Sequence, residues 1–359
     1  MSKAAELAAL IGSQTALSNR NLIINGAAVI DQRNGGSSVS VTGGTTKALV
    51  DRWKADISGA VNGVFSAQQQ TSVVPTGFQY ATKLTVTTAH TTAGTGHYYR
   101  YFYAGIEGYE TNQLEIGNSN AKTVTISFYV RSSVTGTYCV GLQNASFNRA
   151  YSAEYSISSA NTWERKEVTI ALDQTGTWDS TNGIGLKLFW DLGSGSNWDM
   201  TADSWAASNT WKTSNQTAWI ENASATFYIT GVQLEVGETA TPFEHRSYGD
   251  ELRRCQRYYW ENGGQDYTAH GAGMNLNSTT SDIALHLPVT MRSSPTVTSN
   301  ALGIQSGSTT YAVSSFSSII ANTNVLFLRA TVSGVTAGYG AMLVNNNNAS
   351  GYVKYDAEL

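Results

Sequence analysis

The sequence predicts a mainly β protein organised around an antiparallel sandwich, and three observations carry that expectation. Short runs rich in β-branched and aromatic residues recur along most of the 359 residues, with Gly, Asn and Asp turn-formers between them. In the clearest run, Lys122 to Arg131, Val124, Ile126, Phe128 and Val130 alternate with Thr123, Thr125, Ser127 and Tyr129, the period of a strand with one buried face. Charged residues make up only 13%, about half of the roughly 25% usual in soluble domains. Thr, Ser, Asn and 34 Gly supply the polarity instead. The expected architecture is a short N-terminal helix, a jelly-roll-like antiparallel β-sandwich, a short linking helix and a small C-terminal β domain.

The elements follow in chain order. In residues 1–20, Ser2 can cap a helix that places Ala4, Leu7, Ala8 and Ile11 on one stripe, and Gly12 ends it. A helix this short is marginal alone, so the segment reads as an attachment element, with Leu7, Ala8, Leu10 and Ile11 as its contacts. The sandwich is expected over residues 21–246. Its strands are expected near Asn21–Ile24, Ala28–Ile30, Phe78–Val86, His97–Phe102, Lys122–Arg131, Thr137–Leu142, Ala153–Ile157, Glu164–Ile170, Gly185–Phe189, Ala218–Ile220 and Ser224–Val236. Along the last of these, Tyr228, Thr230, Val232, Leu234 and Val236 form the more apolar side, expected to face the core. Ser247 and Asp250 offer N-cap oxygens to a linking helix over 247–262, acids first and cations later, stopped by Gly263-Gly264. Residues 263–359 form the second β unit, with strands expected near Ser281–Pro288, Thr296–Ser299, Tyr311–Val313, Val325–Val332, Gly340–Val344 and Val353–Tyr355.

The run Thr230-Gly-Val-Gln-Leu-Glu-Val-Gly-Glu-Thr-Ala-Thr-Pro-Phe-Glu-His-Arg-Ser-Tyr-Gly-Asp-Glu-Leu-Arg-Arg-Cys-Gln-Arg-Tyr-Tyr-Trp260 resembles a domain junction in a large family of bacteriophage tail-fibre and receptor-binding proteins. Asn21-Leu-Ile-Ile-Asn-Gly, Asp51-Arg-Trp, Thr162-Trp-Glu-Arg-Lys, Leu287-Pro-Val-Thr-Met-Arg-Ser-Ser-Pro-Thr-Val and Asp356-Ala-Glu-Leu fit the same family. The resemblance implies a carbohydrate-module-like sandwich before the junction and a small β domain after it. It also implies a homotrimer, joined to another virion protein through its N-terminus and binding host polysaccharide or lipopolysaccharide. A purely structural role, as a head fibre, decoration or tail adaptor protein, is the competing expectation.

Composition narrows the classes further. A net charge of −4 and no Lys/Arg cluster argue against nucleic-acid binding. No apolar run has the length of a membrane span, and the N-terminus lacks the apolar core of a secretory signal. A product of the host cytoplasm that is carried in the virion fits both. Cys139 and Cys255 sit in apolar or aromatic settings and read as buried free thiols.

For chemistry, a polysaccharide-cleaving tailspike needs two converging carboxylates. Glu107, Glu110, Asp173, Asp179, Asp199, Asp203 and Glu235 show no spacing that predicts convergence. The five histidines are scattered, so neither an enzyme nor a metal or cofactor site is expected. Sugar binding asks for aromatic faces beside amides and carboxylates. The polar stretch 191–217 carries Trp198, Trp205 and Trp211 with Asn197, Asp199 and Asn209, and long loops of this kind are functional or disordered. Tryptophan argues against disorder, so these six are the candidate glycan contacts. The run His97-Tyr-Tyr-Arg-Tyr-Phe-Tyr103 is a second glycan candidate. Its alternation puts Tyr99, Tyr101 and Tyr103 on one face, and core packing is the better reading for at least half of its rings, while Trp53, Trp163, Trp190 and Trp219 are assigned to the core.

Overall fold

Alternation of apolar and polar side chains makes strands here, and every pairing between them is antiparallel. The structure is a computed structural model describing residues 20–59, 61–91 and 94–359. The attachment contacts Leu7, Ala8, Leu10 and Ile11 lie outside the described residues. The chain divides into two units, the first reaching Glu251 and the second running Leu252–Glu358.

In the first unit the strands are β1 (Val39–Val41), β2 (Thr45–Ala48), β3 (Trp53–Ile57), β4 (Val64–Gln70), β5 (Ala81–Thr88) and β6 (Tyr99–Glu107). After a one-turn helix α1 (Gly108–Thr111) come β7 (Thr123–Ser132), β8 (Gly136–Gln143), β9 (Ala150–Ile157), β10 (Glu164–Ala171), β11 (Ile184–Asp191), β12 (Trp205–Ala206) and β13 (Thr226–Val236). They form a six-stranded sheet, β1-β4-β5-β13-β7-β10, and a seven-stranded sheet, β12-β9-β8-β11-β6-β3-β2.

An aromatic cluster fills the space between the sheets. Trp53 stacks on Tyr101 at 5.0 Å, Trp190 lies 5.8 Å from Trp53, and Phe128 of the six-stranded sheet meets Trp190 edge-on at 5.2 Å. Tyr99, Tyr101 and Tyr103 are buried, as their shared face predicts. Truncating one of the buried indoles costs about 3–5 kcal/mol. Cys139 and Cys255 are buried and free.

Several expectations are corrected. Asn21–Ile24 and Ala28–Ile30 are not strands. Asn21 instead lies beside β13, donating from Nδ2 to Val232 O (3.1 Å) and accepting from Leu234 N (3.1 Å). Ala218–Ile220 overlaps a 3-10 turn, Trp219–Glu221. The face of β13 is right after Gly231 and reversed before it. Phe227, Ile229, Val232 and Leu234 enter the core, whereas Tyr228 turns outward between Lys83 and Arg131. The cause is a register shift between Thr230 and Gln233, where Gly231 adopts φ +63°, a bulge that advances the side-chain phase by one.

Helix α2 (Tyr248–Gln256) is capped by Ser247, whose Oγ accepts from Asp250 N at 3.2 Å. It stops short of the expected 262, because Tyr259–Gly263 extends as strand β14 and pairs with the chain's last strand. Aromatic residues favour the pleated conformation there.

The second unit continues with β15 (Ala269–Asn277), β16 (Thr280–His286), β17 (Thr296–Asn300), β18 (Leu302–Ser306), β19 (Thr309–Ala312), β20 (Ser315–Ala321), β21 (Val325–Thr331), β22 (Gly340–Asn345) and β23 (Tyr352–Asp356). Sheets β14-β23-β17 and β19-β18-β22-β15-β16-β21-β20 pack over Ile283, Leu285, Leu328, Leu343 and a Trp260–Tyr355 stack at 4.8 Å.

Candidate functional site

With Tyr99, Tyr101 and Tyr103 turned inward, the period of two sends Arg100 and Phe102 of β6 to the outer face of the seven-stranded sheet. Cross-strand register builds two rows there. Arg100 lies beside Asp56 of β3 and Asp191 of β11, and Phe102 lies beside Lys54 and Phe189. Next to them, Lys187 of β11 pairs with Gln143 of β8, and Phe189 pairs with Gly141. Gly141 is needed at that position, since an added Cβ would stand 2.5 Å from the Phe189 ring and 2.2 Å from Tyr151 O.

The stretch after Asp191 folds over one end of this face. Asp191 is fully buried and organises it. Its Oδ1 accepts from Gly193 N (2.8 Å) and Ser194 N (3.0 Å), and its Oδ2 accepts from Trp211 Nε1 (3.0 Å). Burial pushes the Asp191 carboxyl up, while the Ser194 and Gly193 donors and the Lys212 charge hold it down. Trp211 is only 1% exposed, with Trp198 stacked on it at 4.0 Å and the Arg100 guanidinium 4.5 Å from its ring centre. Trp198 is half-buried and donates from Nε1 to His97 O at 2.9 Å, and Tyr98 meets both indoles edge-on.

The six candidate residues are therefore not one patch. Trp198 and Trp211 form a stack in which Trp211 is covered and acts as a wall. Trp205, on β12, lies apart: its Nε1 bonds Ala171 O (2.9 Å), and its ring packs on Trp178 and Tyr151 at the sandwich edge. Asp199 ion-pairs with Lys212 and lines a shallow open cleft with Glu154, Thr213 and Asn215. Asn197 is exposed. Asn209 is also exposed and accepts from Gln143 Nε2 at 2.8 Å, which ties it to the sheet face.

Beside this loop the sheet face holds a cleft of about 190 Å³, lined by Thr46, Asp56, Arg100, Phe102, Gln143, Phe147, Lys187 and Phe189. Arg100 grips Asp56 through Nε (3.1 Å) and Nη2 (2.6 Å). Phe147 is 38% exposed and sits over the Lys187 ammonium, 3.7 Å from ring centre to Nζ. Burial lowers that ammonium to about 8, with Arg100 adding to the fall and Asp56 opposing it. Sequence reasoning missed this cleft. Its signal was the other side of two strands already recognised: Arg100 and Phe102 opposite the tyrosines, and Lys187 and Phe189 opposite Leu186, Leu188 and Trp190.

Another cavity, about 300 Å³, lies where Phe78, Phe243 and His245 pack ring to ring near Arg246 and Glu251. Among the described residues, no group of three or more His, Cys, Asp and Glu comes together as a metal set.

No protein-family model and no curated protein matches this chain. Among solved structures, the chain is similar to the enzymatically active domain of bacteriophage CBA120 tailspike protein 4 (TM-score 0.31, 10% identity), over 61% of this chain and 22% of that one. It is similar to the carbohydrate-binding module TmCBM61 in complex with β-1,4-galactotriose (TM-score 0.31, 10% identity), over 61% of this chain and 100% of the module. It is also similar to a family 11 carbohydrate-binding module of Clostridium thermocellum (TM-score 0.27, 14% identity), over 57% and 100% of the two chains. Scores this low carry no functional argument.

Proposed function

We propose that the outer face of the seven-stranded sheet binds a host surface glycan without cleaving it, as the receptor-binding part of a bacteriophage tail fibre. The observation that carries the reading is the cleft, where Phe147 and half-buried Phe102 stand over buried Phe189, beside an amide and fixed charges on a solvent face. Pyranose C–H faces pack on such rings, while hydroxyls bond groups already held in place. Binding without cleavage is supported by the carboxylate inventory. Asp56 is the one carboxylate lining the cleft, and Arg100 engages both its oxygens. A glycosidase needs two carboxyl groups free to act.

The fibre assignment, and with it assembly as a homotrimer, attachment to another virion protein and residence in the virion, rests on the junction motifs alone. The experiment is titration of the purified chain with oligosaccharides and host cells, comparing Phe147→Ala with Trp198→Ala. Phe147→Ala is expected to weaken binding about tenfold with an unchanged melting temperature, because that ring is largely outside the core. If only Trp198→Ala weakens binding, the site belongs to the loop; if the folded wild-type chain binds no glycan, the reading falls.

One observation favours a structural role instead. On the second unit, Ile320, Phe327, Ala284, Ala272 and Met342 form an apolar row across the outer face of five strands. Such rows mark contact surfaces.

A further inference from the structure

We infer that the cleft takes an anionic sugar, a uronate or a sugar phosphate, and that Lys187 is the residue that reads its charge. The inference rests on the glycan-binding reading and deepens it. Three charged side chains line the cleft: Asp56, Arg100 and Lys187. The first two neutralise each other in a two-pronged pair. Lys187 is left over. Among the described residues its ammonium has no carboxylate within ion-pair distance, and it meets the face of Phe147 instead.

Its position makes this unusual. An exposed lysine without a partner is ordinary, because water solvates the head group. Lys187 is half-buried on a central strand, paired with Gln143 on β8 and sharing the cleft with Phe102 and Arg100 of β6. A cation partly removed from water gains most from an anion that arrives with its own hydrogen-bond acceptors. Arg100 adds to the same field, since its Nε and Nη2 are committed to Asp56 while its Nη1 bonds none of the described residues. The cleft thus carries one surplus positive charge, against a chain of net −4. Phe147 and half-buried Phe102 offer apolar faces to the ring of a sugar whose acidic group lies at Lys187, over a floor made by buried Phe189. A neutral glycan would leave that ammonium unanswered.

The test is isothermal titration of the full chain with three probes: trigalacturonate, galactose 6-phosphate and galactotriose. At least one anionic probe is expected to bind about tenfold or more tighter than the neutral trimer, as one charge-assisted hydrogen bond supplies. Which anion wins identifies the source of the charge. Lys187→Met is expected to abolish the preference and Lys187→Arg to retain part of it, with thermal unfolding confirming that both variants fold. Raising the salt should erode the preference in the wild type. Equal affinity for all three probes overturns this inference and leaves glycan binding standing. A preference that survives in Lys187→Met also overturns it. Absence of binding by a folded wild-type chain overturns both.

Discussion

Lys187 sets stability against recognition within one side chain. Its folded value of about 8 lies below the ordinary 10.5, chiefly through burial. A cation with a depressed value binds its proton more weakly in the fold than in the unfolded chain. The charged form therefore costs stability below pH 8, and the cost fades as pH rises from about 8 towards 10.5. Discounted for its partial exposure, that cost is on the order of 1–2 kcal/mol. Lys187→Met is accordingly expected to melt a few degrees higher at pH 7, with the gain shrinking between pH 8 and 10. Thermal unfolding across that range checks it, and a lower melting temperature at pH 7 would mean the ammonium is held by a favourable contact. Binding follows the opposite course, since affinity for an anionic sugar should fall as pH rises through about 8. Gly141 makes a second prediction. A Cβ there meets the Phe189 ring and the Tyr151 carbonyl, so Gly141→Ala is expected to cost about 1–3 kcal/mol in chemical denaturation and to weaken glycan binding by tilting Phe189.

At the scale of elements, the stretch after β11 is held by one carboxylate more than by its tryptophans. Removing Asp191 orphans the Gly193 and Ser194 backbone N–H groups, each costing about 1–3 kcal/mol when buried and unpaired, and leaves the Trp211 indole N–H only its longer bond to Ser194 Oγ at 3.4 Å. Asp191→Ala is expected to lower stability by about 3 kcal/mol or more and to open the loop to proteolysis, while Asp191→Asn keeps an acceptor and loses less. Limited digestion with mass mapping reads the difference; cleavage unchanged in Asp191→Ala would show that the indole stack alone holds the loop. This element also marks how far the sequence could be read. The tryptophans announced an ordered loop, but Asp191 reads as the last residue of a strand, and nothing local tells that three donors converge on it. Strands of strong alternation, such as β7, were legible with their faces. β13 was legible as a strand but not in phase, because a glycine within a strand reads the same whether or not it opens a bulge. β2, Thr-Thr-Lys-Ala, has too little apolar character to stand out, so it and its neighbours β1, β3 and β4 appear only once partners align them. The cleft was hidden for a related reason: its residues come from β2, β3, β6, β8, β11 and the turn after β8, and only the folded register brings them together.

At the scale of the whole molecule, each unit carries a sheet face with a different character. The first unit turns charge and phenyl rings outward around Arg100 and Lys187, as a small polar ligand requires. The second turns out Ile320, Phe327, Ala284, Ala272 and Met342, with Ile320 55% exposed and a bidentate Arg329–Asp282 pair on the neighbouring row. Flat apolar rows flanked by paired charges suit contact with another protein surface better than contact with a sugar. The proposed trimer would bury them. Ile320→Lys places a charge in the middle of that row, where burial without a partner costs several kcal/mol, yet in an isolated chain the same side chain simply reaches water. Light scattering is therefore expected to show the mass of one chain for Ile320→Lys and of three for the wild type, with the melting transition of the first unit unchanged. Retention of the trimer by the variant would move the interface to another surface. A wild-type chain that is itself monomeric at micromolar concentration would remove the trimer from the proposal and leave the glycan cleft untouched, since every residue lining that cleft comes from a single chain.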